Sequence, residues 1–128
     1  MKKLKLSLVT LRNDLYKNQN NNGCLNFFQL TKLHYSICLE VGIGTFNDDN
    51  VSYEKLCDTV PKKFGSRSTI QSILKEAVLL GYFIKDTSKK DKRIKTYTFS
   101  NEFTLGVKDW IESLEVEITK GNSDDKAA

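Results

Sequence analysis

The stretch from Ser66 to Ser100 constrains the fold most, because its apolar residues change spacing at Gly81. Before this glycine the apolar residues recur every three or four positions, as one face of a helix requires: Ile70, Ile73, Leu74, Ala77 and Val78. After it, residues 82–84 and 94–99 are rich in aromatic and β-branched types, which favour strands. The loop DTSKKDKR between them is charged. Helix, strand, charged loop and strand form the second half of a winged helix-turn-helix.

The residues around this stretch supply the expected boundaries. Ser66 or Ser68 can cap the helix 66–80, and Gly81 can close its carboxyl end. A shorter helix should begin after Ser52 and end at Pro61, because proline cannot continue a helix interior. Two successive helices followed by a hairpin complete the expected arrangement.

Apolar stripes predict further helices on both sides of this region. Leucines at four- and three-residue steps indicate a helix within 1–17, although Leu4, Leu6 and Leu8 also alternate as in a strand. We expect a second helix over 26–41, stopped by Gly42 and Gly44, and a last helix over 101–119. The segment NQNNNG (18–23) is expected to be a loop, and 121–128 a disordered tail.

The predicted fold class is therefore mainly α with a small β-hairpin (α+β). At 128 residues the chain suits a single winged-helix domain over 1–120. Within it, 26–100 would form the DNA-binding lobe, and 1–17 and 101–119 would be dimerisation helices.

Positive charge is concentrated in the predicted winged helix-turn-helix. The chain carries a net charge of +4, yet ten Lys or Arg residues and only three acidic residues lie between 62 and 95. A cationic block of this kind is typical of a surface that binds a polyanion. An ordinary solvated surface is the competing interpretation.

Several other classes of protein are disfavoured by the sequence. The three cysteines, Cys24, Cys38 and Cys57, match neither a disulfide framework nor a zinc motif, and His34 is the only histidine. We expect reduced thiols in a cytoplasmic protein, with a redox role for Cys24 left open. No apolar run approaches the length of a membrane span. Catalytic motifs are absent from the sequence, so we expect neither an enzyme nor a cofactor.

The polar face of the helix 66–80 carries side chains suited to base edges. Arg67, Ser68, Gln71 and Ser72 lie opposite its apolar stripe. Arginine can form a forked pair with guanine, glutamine with adenine, and serine can bond to several bases. Lys62, Lys63 and Lys75 are placed to contact phosphates.

The loop of the predicted hairpin carries the second cationic group: Lys89, Lys90, Lys92 and Arg93. A phosphate backbone or a narrow minor groove would offset the repulsion among them. Asp91 can orient Arg93 through a salt bridge. The alternative is a charged edge that prevents strand pairing between molecules.

These features resemble the MarR family of winged-helix transcriptional regulators over about Leu30 to Ser100. Leu30-Thr31 and the following apolar helix look like the family's second helix, and SRSTIQSILKEAVLLGYF looks like its recognition helix. Asp91-Lys92-Arg93 matches the family's D-x-R wing motif. The resemblance implies that Arg93 enters a minor groove while Asp91 holds it. The turn PKKFGS is longer than is usual in the family.

We therefore expect a homodimeric, sequence-specific regulator that binds double-stranded DNA. The stripes of the two terminal helices would form the dimer contact: Leu4, Leu8, Leu11, Leu15, Phe103, Val107, Trp110, Ile111, Leu114 and Ile118. One alternative is a winged helix that binds another protein, because a fold does not determine a function. An RNA-binding or replication-initiation protein is another. The sequence does not indicate an effector ligand.

Overall fold

The computed structural model describes residues 1–17 and 23–127, with side chains for 1–16 and 23–114. Its helices and strands follow in chain order: α1 (Lys2–Lys17), α2 (Gly23–Phe28), α3 (Lys32–Phe46), β1 (Val51–Ser52), α4 (Tyr53–Thr59), α5 (Arg67–Leu79), β2 (Phe83–Thr87), β3 (Lys95–Phe99) and α6 (Asn101–Ala127). A 3₁₀ turn at Lys62–Phe64 joins α4 to α5. The mainly helical fold with a small antiparallel sheet confirms the predicted fold class.

The described residues divide into two compact units. The central unit is Phe27–Thr104, and the terminal unit comprises Met1–Asn26 with Leu105–Ala128. The central unit contains α3, α4, α5 and all three strands. Residues 18–22, where most of the asparagine-rich loop was expected, lie outside the part of the chain that the structure describes.

Both ends of α5 follow from local chemistry. The Ser66 hydroxyl accepts a hydrogen bond from the Thr69 amide at 3.2 Å and so satisfies one backbone donor of the first turn. At the other end Gly81 adopts a φ of 78°, a left-handed conformation that glycine adopts most easily. Gly81 and Tyr82 then donate to the carbonyls of Val78 and Ala77, which closes the helix. The expected helix boundaries are therefore observed within one residue.

The second predicted helix is interrupted, contrary to the expectation of one helix over 26–41. Thr31 caps α3 by accepting the His34 amide at 3.1 Å, so a new helix begins at Lys32. Leu30, expected within that helix, lies in the turn between α2 and α3 and is 61% exposed. The cap therefore makes α3 a separate helix from α2, although Phe27 of α2 still meets the His34 ring edge to face at 5.1 Å between centroids.

Gly42 and Gly44 lie within α3 and do not stop it. A Cβ on Gly42 would stand 2.7 Å from the Phe99 ring, and one on Gly44 would stand 2.6 Å from the Asp49 carbonyl oxygen. These glycines therefore allow α3 to approach the sheet closely, at the expense of helix propensity. The helix continues to Phe46.

The sheet has the order β1–β3–β2, with both pairings antiparallel. In the hairpin Phe83 pairs with Phe99 and Thr87 pairs with Lys95, so the loop between the strands spans 88–94. The strand β1, which the sequence analysis missed, adds Val51 beside Tyr97. It connects the start of α4 directly to the hairpin.

Aromatic rings fill the core of the central unit. Phe99 meets Phe103 edge to face at 4.7 Å between ring centroids, and Phe83 stacks on Phe99 at 5.9 Å. Phe103 is completely buried among these rings. The prediction that Phe103 takes part in a dimer contact is therefore wrong, because its side chain is not available to a partner.

In the terminal unit, the Trp110 indole donates to Asp14 at 2.8 Å. Leu4, Leu8, Leu11 and Leu15 of α1 are exposed, whereas Val107, which was also expected in the dimer contact, is buried. Helix α6 runs to Ala127, past the predicted end at 119 and into the segment 121–128 where a disordered tail was expected. The Ile118 side chain lies outside the described residues. Over 1–17 and 23–127, the helices are too short or too polar to cross a membrane.

Candidate nucleic-acid interface

The first two turns of α5 present a polar surface. Ile70, Ile73, Leu74 and Ala77 are buried, and this leaves Arg67, Ser68 and Ser72 exposed on the other side, with Gln71 half-buried. The Ser72 hydroxyl donates to the Ser68 carbonyl at 3.0 Å, so it has a partner within the helix. The four predicted base-reading residues therefore occupy one accessible end of α5.

Arg67 is held by two residues at the start of α4. Its Nη2 donates to Glu54 Oε1 at 2.7 Å, and its guanidinium carbon lies 5.4 Å from the centroid of the Tyr53 ring. The Tyr53 hydroxyl donates to the Arg67 carbonyl at 3.1 Å. The hydrogen bond to Glu54 raises the pKa of Arg67, which keeps the guanidinium charged. The arginine is thus oriented and remains accessible.

The predicted phosphate-binding lysines of this region are exposed. Lys62 and Lys63 lie in the 3₁₀ turn that precedes α5, and Lys75 lies one turn beyond Gln71 on α5. Lys63 Nζ stands 5.9 Å from the centroid of the Phe64 ring. These lysines place positive charge before and along the polar face.

The loop between β2 and β3, which we call the wing, is ordered by its own backbone. The Ser88 amide donates to the Ile94 carbonyl at 2.8 Å, and the Ile94 amide donates to the Asp91 carbonyl at 3.0 Å. The Ser88 hydroxyl accepts the Lys90 amide at 3.2 Å. These bonds hold a compact loop from which Lys89, Lys90 and Lys92 extend, all exposed.

Asp91 holds Arg93 from within the wing. One carboxylate oxygen accepts both the Arg93 amide at 3.0 Å and its Nε at 3.2 Å, and the other oxygen accepts Nη2 at 3.2 Å. The Arg93 side chain is nevertheless 90% exposed. Hydrogen bonds from this arginine lower the pKa of Asp91, so the pair stays ionised at any pH near neutrality. The pairing is the one that the sequence predicted.

A cleft of about 310 Å³ is lined by residues of both α5 and the wing. Gln71 on α5 and Arg93 in the wing line it, together with Glu54 from α4. Lys85 and Lys95, on the two strands of the hairpin, also line it. The polar end of α5 and the cationic wing therefore open onto the same side of the central unit.

The sequence analysis did not assign most of the cleft residues to the site, among them Tyr53, Glu54, Lys85 and Lys95. Tyr53 and Glu54 were assigned no role in binding. The lysines were counted as part of the cationic block. Alternation along the strands could have placed Lys85 and Lys95 on one face, because the two residues lie on paired strands.

The three thiols and the histidine are buried. Cys24, Cys38 and Cys57 are buried, and burial raises the pKa of Cys38 well above its usual range. His34 is 8% exposed, and its Nδ1 lies 2.7 Å from the Thr31 hydroxyl. Burial lowers the His34 pKa. Within the described residues, no three His, Cys, Asp or Glu side chains are grouped so that they could hold a metal ion.

Comparison with known proteins identifies a fold. No family model matches the sequence, and no curated protein matches it significantly. Among solved structures, a transcriptional regulator from Thermotoga maritima is similar, with a TM-score of 0.60 and 19% sequence identity. The match covers 78% of this chain and 66% of the Thermotoga protein, so the chain spans slightly under two thirds of that protein's length. At this identity, the likeness concerns the fold: the chain folds as that transcriptional regulator does.

Proposed function

We propose that this protein is a transcriptional regulator that binds double-stranded DNA in a sequence-specific way, in the manner of the MarR family. The observation that carries the proposal is the cleft onto which Gln71 and Arg93 both open. A helix and a cationic loop that face the same side can contact one duplex together. The shared fold with the Thermotoga regulator supports the same conclusion.

In this proposal α5 enters the major groove, with its first turns directed at the bases. Arg67, Ser68, Gln71 and Ser72 are exposed or half-buried there, and they are the base-reading residues. The exposed lysines bind phosphates: Lys62, Lys63, Lys75, Lys89, Lys90 and Lys92. Arg93, oriented by Asp91, enters the adjacent minor groove, where the negative potential attracts a guanidinium.

We propose further that the protein is a homodimer. Leu4, Leu8, Leu11 and Leu15 are each 43–56% exposed along one side of α1, which is unusual for four leucines on one helix. Beside Leu4 and Leu8 lies an open groove of about 430 Å³. On α6 the exposed Ile111 belongs to the same proposed contact, with the half-buried Trp110 and Leu114. Two copies of α5 would then read half-sites about one helical turn apart.

Sedimentation tests the dimer. The wild-type protein should sediment as a dimer at micromolar concentration, and Leu8→Glu should sediment as a monomer because it places a charge in the apolar stripe. Lys3→Glu, a control on the same helix, should remain dimeric. A wild-type monomer would contradict the proposed contact.

Fluorescence anisotropy with random-sequence duplexes tests DNA binding itself. Binding should be detectable at 50 mM salt and should weaken steeply at 200 mM, because counterions are released when lysines neutralise phosphates. Tighter binding to single strands or to RNA would instead indicate an RNA-binding or replication-initiation role. No salt-dependent binding to any nucleic acid would contradict the proposal.

A role in binding another protein is the second candidate, and one feature of α3 favours it. Tyr35, Leu39, Ile43 and Phe46 follow one another at helical spacing and are each 40–67% exposed. A contiguous apolar stripe of this kind can mark a protein contact. Under this alternative, Leu39→Glu would abolish binding to the partner protein, while the anisotropy measured with DNA would stay unchanged.

A further inference from the structure

We infer that Glu54 is a positioning residue for Arg67 and thereby sets the base preference of α5. This inference rests on the proposed function, since it assumes that Arg67 reads a base. The inference gives α4 a role in base recognition in addition to its packing against α5. Glu54 would increase the sequence discrimination of the protein and would lower the affinity of the protein for DNA of any sequence.

Three contacts fix Arg67 from α4. Glu54 Oε1 accepts Nη2 at 2.7 Å, a short distance typical of a charge-assisted hydrogen bond. The Arg67 guanidinium carbon lies 5.4 Å from the centroid of the Tyr53 ring, and the Tyr53 hydroxyl donates to the Arg67 carbonyl at 3.1 Å. The side chain and the backbone of one residue are therefore both held by adjacent residues of α4.

Exposure indicates that these contacts serve recognition more than folding. The Arg67 side chain is 59% exposed and that of Glu54 is 68% exposed. Ion pairs in such positions contribute little to stability, because water screens them and two long side chains lose freedom. An arginine held in one orientation, however, loses less conformational freedom when it binds a base.

The geometry leaves the guanidinium able to read guanine. An arginine has five N–H donors, and the contact to Glu54 is made through Nη2. The remaining donors can still form the forked pair with guanine O6 and N7. A carboxylate beside the arginine also repels the phosphates of any duplex, whatever its sequence.

Opposite effects on two measurable quantities follow. Removing the Glu54 charge should strengthen binding to random DNA, because one source of repulsion is lost. The same change should weaken discrimination at one base pair, because Arg67 becomes free to adopt several orientations. A purely structural role would instead lower both quantities together.

The experiment measures anisotropy on a selected high-affinity duplex, on its single-base variants and on random duplex DNA, at two salt concentrations. Glu54→Gln should bind random DNA more tightly than the wild type and should lose about five-fold or more of its discrimination at one base pair. Glu54→Asp keeps the charge but shortens the reach, so it should lose discrimination without gaining affinity for random DNA. Asp58→Asn is the matched control, since Asp58 is an exposed carboxylate on the same helix and its removal should leave discrimination unchanged.

Arg67→Ala, measured in parallel, separates the inference from the proposed function. If Arg67→Ala loses discrimination while both Glu54 variants keep it, the positioning role is wrong and base reading by α5 stands. If Arg67→Ala keeps the wild-type discrimination, or if the wild type binds no duplex DNA, the inference is overturned together with the assignment of Arg67. Loss of discrimination at the same base pair in Arg67→Ala, Glu54→Gln and Glu54→Asp supports it.

Discussion

The start of α5 and the wing each hold an arginine with a carboxylate, but they do so by different means. Arg67 and Glu54 are 13 residues apart and meet because α4 packs against α5. Arg93 and Asp91 are two residues apart, and the loop itself brings them together. The first pair therefore depends on the tertiary structure, whereas the second is complete within a few residues.

This difference suits the two tasks that we propose. Base reading requires one defined orientation, and α4 packs against α5, with Leu56 of α4 and Leu74 of α5 both fully buried. Contacts to phosphates and to a minor groove tolerate more variation, and the wing presents lysines for the first and, for the second, an arginine that is 90% exposed. The rigid part would determine which sequence is bound, and the wing would determine how strongly DNA is bound at all.

The largest effect is expected from changes on α5. Gln71→Ala should reduce the preference for the selected site by about 1–3 kcal/mol at one base pair and leave binding to random DNA nearly unchanged. Arg67→Ala should reduce preference by about ten-fold or more at a different base pair. Anisotropy with single-base variants measures both. Equal losses on every duplex would remove the distinction between α5 and the wing.

A second, smaller effect should come from the lysines of the wing. Lys89→Ala combined with Lys90→Ala should weaken binding to all duplexes alike. It should also reduce the slope of log affinity against log salt by about 1.8, because each lost phosphate contact contributes about 0.9. Lys2→Ala with Lys3→Ala removes the same charge from α1 and should leave the slope unchanged. A change in base preference in the wing variant would contradict a backbone role.

Asp91→Asn should have a smaller effect still. The amide can accept the Arg93 backbone N–H but cannot form the ion pair, so Arg93 would lose its fixed orientation while the loop remains. We expect a loss of a few-fold in affinity for A·T-rich flanking sequence, measured by anisotropy. An unchanged affinity would show that the wing does not require an oriented arginine.

The smallest expected effect is a pH dependence of stability, which arises from His34 in the core and not from either arginine–carboxylate pair. Burial lowers the His34 pKa below its usual value of 6.5, so the unfolded chain binds a proton more readily than the folded protein. The free energy of unfolding should therefore be highest above pH 6.5, and it should fall as the pH drops toward the lowered pKa of His34 in the folded protein. Thermal unfolding between pH 7 and 5 measures this, and His34→Gln should show a flatter profile. The Asp91–Arg93 pair should persist over that range, because the hydrogen bonds from Arg93 lower the Asp91 pKa from its ordinary value.

Local signals in the sequence were sufficient for α5 and the wing. The Ser66 cap, the apolar stripe and Gly81 all act within a few residues, and the structure has each of them in place. The pairing of Asp91 with Arg93 is local in the same sense. Such features can be predicted because the interacting groups are neighbours in sequence.

Features that depend on distant residues were missed. Gly42 was expected to end a helix, and only the Phe99 ring beside it explains why the helix continues. The short strand β1 forms because Val51 pairs with Tyr97, far along the chain. A helical stripe identified Phe103 as apolar, but spacing could not distinguish a core ring from a dimer contact. Glu54 was overlooked because its partner, Arg67, lies 13 residues further along the chain.

Tethered cleavage tests most directly the central claim that α5 and the wing contact one duplex together. An iron chelate attached to Ser68→Cys or to Lys90→Cys cuts the DNA nearest to it, and the buried native thiols should not be labelled. We predict cuts from position 68 in the pattern of a major-groove probe. Cuts from position 90 should have a minor-groove pattern and lie within about one helical turn of the first set. Site-specific cleavage from one position only, or from neither, would contradict the account.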